Sequence, residues 1–95
     1  MSGRLLITGA SVPRLPRHIK LRFDEARQRW VLLGPERVML PDEIALEVLQ
    51  RCDGAASVER IAESLATKFQ ASREEVERDV IEMLQDLADK GTIAA

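Results

Sequence analysis

Residues that usually carry chemistry are scarce in this chain. Of 95 residues one is cysteine, one is histidine, three are aromatic and none is tyrosine. A lone Cys52 excludes an intramolecular disulfide and a cysteine-rich zinc site. It falls in register with Val48 and Leu49, which places its thiol at the buried end of a helix. His18 has no second histidine and no nucleophile beside it, so it supports neither a catalytic triad nor a two-histidine metal site. It reads as an exposed strand residue. With so few aromatics, the 45% hydrophobic content must form an aliphatic core. No run approaches the roughly 18 apolar residues of a membrane span. Leu5, Leu6 and Ile7 fall far short of the about 7–15 residues of a signal-peptide core. A cytoplasmic protein with no membrane partner is expected. No glycine-rich phosphate loop or ligand cluster is present either, so neither a metal site nor an enzyme is expected.

Charge is unevenly spread. The net charge is −2, yet residues 1–41 hold eight Arg/Lys against three Asp/Glu, whereas residues 42–95 hold six against thirteen. The two halves attract each other and offer a partner separate basic and acidic surfaces. The length leaves room for one small domain.

Residues 30–54 are the most informative stretch. Trp30, Val31, Leu32 and Leu33 form one apolar run and Arg37, Val38, Met39 and Leu40 another, with Gly34-Pro35-Glu36 as a natural turn between them. Pro41 ends the second strand and suits the first turn of a helix. Asp42 and Glu43 set negative charge at the positive end of the helix dipole. Ile44, Ala45, Val48, Leu49 and Cys52 follow at helical spacing, and Asp53-Gly54 closes the element. Upstream, residues 18–24 alternate, with Ile19, Leu21 and Phe23 inward. Three strands joined by short turns form an antiparallel meander. Residues 1–17 carry no periodicity and read as a flexible or partner-ordered arm outside a domain of residues 18–95.

A second helix opens at Ser57 and carries Val58, Ile61, Ala62, Leu65 and Phe69 on one face. A third opens at Ser72, with Glu75 completing a capping box. Its stripe is Val76, Val80, Met83, Leu84 and Leu87, and Gly91 suits the position just past its end. The fold class expected is α+β, winged-helix-like: a three-stranded antiparallel N-terminal meander followed by three helices.

The order of Trp30, Leu32, Leu33, Pro35, Glu36, Leu40, Ile44, Ala45, Leu49, Cys52, Asp53 and Gly54 resembles the pyrroloquinoline quinone biosynthesis protein D family. Ile61, Leu65, Val76, Asp79, Val80, Leu84, Leu87 and Gly91 continue the likeness, which spans residues 18–93. Pro41 departs from it, since the family usually opens this helix with Asn. The resemblance implies a winged-helix-like peptide chaperone, a recognition element for ribosomally made, post-translationally modified peptides. It implies as partners the precursor peptide of pyrroloquinoline quinone and a radical S-adenosylmethionine enzyme to which that peptide is presented. It implies no cofactor held by this chain, and leaves monomer or homodimer open.

A helix-turn-helix also admits a second reading, a small DNA-binding or other protein-interaction domain. Charge argues against nucleic acid: residues 72–90 hold seven acids against Arg73, Arg78 and Lys90, the wrong sign for phosphates. With Ala95 so near, no wing hairpin is expected after that helix. A meander instead has edges onto which a peptide can add as a strand. The resemblance puts that peptide on Arg37, Val38, Met39 and Leu40, against a helix wall of Val80, Met83, Leu84 and Leu87. Taken singly, Val80 and Leu84 read as core residues; Met83, an adaptable thioether, suits a groove better.

Overall fold

Residues 4–95, described in a computed structural model, form three strands and then three helices: β1 (Lys20–Asp24), β2 (Arg29–Leu33), β3 (Val38–Met39), α1 (Glu43–Gln50), α2 (Val58–Phe69) and α3 (Arg73–Asp89). The fold is α+β and winged-helix-like, as the spacing of strands and helices leads one to expect. The sheet is antiparallel in the order β1-β2-β3. Leu21 lies opposite Leu32, and Leu32 opposite Met39, so all three share the face turned to the helices. Phe23 lies on that face too, but is 44% exposed. Its neighbour is the Trp30 ring, met edge-on at 5.8 Å, and not the core. β1 starts later than the alternation suggests, because the Ile19 N–H is turned back onto the Pro16 carbonyl at 3.0 Å.

Caps set the helix ends. Asp42 is the N-cap of α1, its Oδ1 accepting the Ala45 N–H at 2.8 Å, so Pro41 stands just before the helix and outside its first turn. Ser57 caps α2 by accepting from the Arg60 N–H at 3.3 Å. Ser72 caps α3 over a long 3.5 Å bond from Glu75. The return bond from the Ser72 N–H to the Glu75 carboxylate, which would complete a capping box, is absent among the described residues. Gly91, at φ +75°, lets α3 finish in a Schellman turn: its N–H reaches the Ala88 carbonyl at 3.0 Å, and that of Thr92 reaches Leu87 at 2.8 Å.

Val48, Val58, Ile61, Leu65, Val80 and Leu84 fill the centre of the core, with Leu32 covering it from the sheet. Two residues expected on inward stripes are not inward: Ile44 is 52% exposed and Phe69 is 38% exposed. Ile44 sits in the first turn of the short α1 and Phe69 in the last turn of α2, where no neighbouring element closes over them.

The segment before His18 is laid against the domain over residues 4–17. The expected boundary at residue 18 therefore does not coincide with an edge of packing. Ile7 is buried in the main core. The Gln85 amide clamps the backbone on either side of Leu6, accepting from the Ile7 N–H at 2.9 Å and donating to the Leu5 carbonyl at 2.8 Å. Arg14 exchanges backbone hydrogen bonds with Ala94 at 2.8 and 2.9 Å. Main-chain bonds, the buried side chains of Ile7 and Pro13 and the Arg4–Asp89 ion pair hold this segment, and none of these needs periodicity. Met1, Ser2 and Gly3, the start of the expected arm, lie outside the described residues.

Candidate peptide-binding site

β2 is the central strand, which leaves β3 at a sheet edge. The Gly34 N–H donates to the Arg37 carbonyl at 2.9 Å and closes the hairpin over Pro35 and Glu36. Gly34 has no positive φ; what it provides is room, since a Cβ there would stand 3.2 Å from a methyl of Ile19. Hydrogen-bonded and non-hydrogen-bonded pairs alternate along an antiparallel ladder. With Gly34 and Arg37 bonded, the Leu33/Val38 pair is not, and the N–H and C=O of Val38 point away from β2 at the open edge. Those of Met39 point into the ladder.

Beside this edge runs a cleft of about 150 Å³. Met39, Leu40 and Pro41 form one side, Met83, Asp86 and Leu87 of α3 the other, and Ala45 and Leu49 of α1 the floor. The structure thus brings four expected site residues, Met39, Leu40, Met83 and Leu87, into one place. Val80 and Leu84 are 3% and 0% exposed and belong to the core behind the wall. Val38 supplies main chain to the edge and stands outside the cleft, its side chain exposed on the outer sheet face. Arg37 lines an adjoining hollow of about 320 Å³ with His18, Glu36 and Lys90; the two cavities share Leu32 and Met39. His18 is exposed, one residue before the buried Ile19 and just ahead of β1.

The floor residues Ala45 and Leu49 and the wall residue Asp86 were not legible as site residues from sequence. The one available signal was Ala45, a small side chain within an aliphatic stripe. The floor is braced from behind: Glu47 accepts from Lys68 of α2 and from Arg51 at 2.7 Å. Those two hydrogen bonds, Lys68 first, hold the Glu47 carboxyl below the ordinary carboxylate range. Cys52 lies at the buried end of α1, its thiol donating to the Val48 carbonyl at 3.2 Å. Burial, with Asp53 adding to it, pushes this thiol up to about 12, so it stays a neutral packing group. Charge is graded along the cleft. Arg37 and Lys90 mark the hairpin end, and Asp79, Glu82 and Asp86 follow one another along the outer side of α3. Lys90 bridges the two regions, its Nζ 2.9 Å from Asp86.

Similarities to known proteins agree with this architecture. The sequence model of the family described as coenzyme PQQ synthesis protein D (PqqD) matches residues 29–93. A PqqA binding protein of Rhodopseudomonas palustris (strain BisB5) is 62% identical over 90 residues, covering 95% of this chain and 88% of that protein. The solution structure of the PqqD part of Methylobacterium extorquens PqqCD is described as a functional, stand-alone recognition element for ribosomally synthesized and post-translationally modified peptides. It superposes with a TM-score of 0.80 at 42% identity, over 94% of this chain and 95% of that one. Lasso peptide synthetase B1, solved with its leader peptide, shares the fold with a TM-score of 0.75 at 21% identity, over 90% of this chain and 100% of that one.

Proposed function

This chain belongs to the coenzyme PQQ synthesis protein D family, and from that premise we propose that it is a non-catalytic chaperone for the precursor peptide of pyrroloquinoline quinone. The peptide adds as a strand to β3 and is carried, in the cytoplasm, to the radical S-adenosylmethionine enzyme of the same pathway. One observation carries the docking mode: β3 turns the main-chain groups of Val38 outward next to an apolar cleft walled by α3. Strand addition supplies affinity through main-chain bonds, and the cleft supplies selectivity through the side chains that alternate into it. On this reading Arg37, Val38, Met39 and Leu40 form the strand side, and Met83 and Leu87 the wall. Val80 and Leu84 contribute by holding α3 in position.

The function is that of a carrier, and supports for it are the family membership and the PqqA-binding name of the 62% identical relative. Nothing favours nucleic acid as a ligand, because the outer side of α3 is acidic.

Titration of isotope-labelled protein with the synthetic precursor peptide tests the proposal. Amide shifts are expected to cluster on residues 37–40 and 80–87. Shifts confined to α2, with β3 and α3 silent, would refute docking on this edge.

A further inference from the structure

Three hollows lie in sequence along one side of α3. The first, at its C-terminal end, holds Lys90 and Gly91. The β3 cleft follows at Leu87, Asp86 and Met83. A third hollow, of about 220 Å³, continues from Met83 to Val80, Asp79 and Val76, closed by Ile44 of α1 and Phe69 of α2. The first and second share Leu32 and Met39, and the second and third share Met83. The hollows therefore form one row. Its length along α3, from Val76 to Lys90, is about 20 Å at 1.5 Å per residue. β3, by contrast, is two residues long and offers only about 7 Å of strand. A peptide lying along this groove outruns its strand partner and needs another hold.

We propose that the hollow between α1, α2 and α3 is that hold: it takes one bulky apolar side chain of the same peptide, about three residues beyond the strand-paired segment on the side that passes Leu40. The spacing follows from the rises. Asp86 and Asp79, one in each cavity, are about 10 Å apart along the helix, which is about three residues of extended chain. The lining fits an apolar guest. Val48, Leu65, Val76 and Val80 form its depth, and Asp79 is the one charged residue at its rim. Ile44 and Phe69, two large helix side chains that depart from their expected burial, stand at its mouth. Apolar side chains exposed together beneath a charged rim mark a contact surface. A second copy of this chain fits less well. A two-fold contact here would bring the side of α3 that carries Asp79, Glu82 and Asp86 near the same acidic side of the other copy, with Arg4 and Arg78 offsetting it in part, an arrangement that costs affinity.

This inference rests on the strand-addition reading, and the test separates the two. Ile44→Lys and Phe69→Ser alter the mouth without touching the β3 cleft. Each is compared with the unaltered chain by calorimetric titration with the full-length precursor peptide and with a series shortened residue by residue from either end. Thermal melting reports on the fold. The expected result is a loss of about tenfold or more in affinity for the full-length peptide, the worth of one buried apolar side chain, with a cooperative melting transition retained. That loss vanishes for peptides trimmed past the anchoring residue. Equal affinity of all three proteins for the full-length peptide would overturn the second hold and leave strand addition standing. So would a deficit that persists for every trimmed peptide, or a change from dimer to monomer in sedimentation with peptide affinity unchanged. A wild-type chain that binds no peptide would overturn both readings.

Discussion

Replacing Val38 by proline isolates the main-chain part of the proposed docking. The Val38 N–H points out of the sheet, so proline removes a donor that the fold does not use. Its φ of about −65° is compatible with an edge strand. In the complex the loss is twofold. One hydrogen bond disappears, and a peptide carbonyl is left facing the edge without a partner, at a cost of about 1–3 kcal/mol. That corresponds to a roughly 5–150-fold weaker Kd. Val38→Ala keeps the N–H and removes methyls that are already largely in solvent, so its expected effect is less than about fivefold. Met39→Pro is the counterpart. The Met39 N–H points into the β2–β3 ladder, so this change lowers the melting temperature, by about 4–8 °C for each kcal/mol lost. Calorimetric titration with the precursor peptide and thermal denaturation of the free proteins read the two effects separately. Val38→Pro binding the peptide as tightly as the unaltered chain, with its fold intact, would refute strand addition at β3.

Met83→Arg, on the half-buried wall, is expected to abolish peptide docking with little change in melting temperature, whereas Leu84→Ala, one position on, costs about 2–5 kcal/mol of stability; chemical denaturation distinguishes them. Cys52, its thiol held near 12, is expected to resist alkylation at pH 8 in the native protein and to react fully in denaturant, as mass spectrometry reports. Asp89 is held below the ordinary carboxylate range by the Arg4 guanidinium, which bonds both its oxygens at 2.8 and 2.6 Å. A depressed carboxylate stabilises the folded form above its unfolded pKa, and the contribution is lost as pH falls through the folded value. Hydrogen exchange at the Ile7 amide is therefore expected to speed up below about pH 4 beyond its intrinsic trend. Asp89→Asn should give the faster exchange at neutral pH and remove the step.

Local chemistry in the sequence determined the elements. Alternation around Leu21 placed β1, the Gly34-Pro35-Glu36 turn set the register of β2 against β3, and Asp42, Ser57, Ser72 and Gly91 marked helix ends. Each of these signals acts within four or five residues, where backbone conformation is decided. The edge position of β3 was legible too, because three strands joined by short turns leave the outer two with one partner each. Which apolar side chains line a cleft and which fill the core was not legible. Val80, Met83, Leu84 and Leu87 share one helical stripe, and periodicity names the stripe without saying which neighbour arrives over each residue. The tertiary structure decided that β2, α1 and α2 cover Val80 and Leu84 while β3 stops short of Met83 and leaves the wall open. It likewise left Ile44 and Phe69 at the mouth of a second hollow. It also laid residues 4–17 against the domain through Ile7, the Gln85 clamp and the Arg14–Ala94 pair. Those contacts join residues about 80 positions apart. Hydrogen bonds between such distant segments leave no periodic trace in the sequence, so only the folded chain displays them.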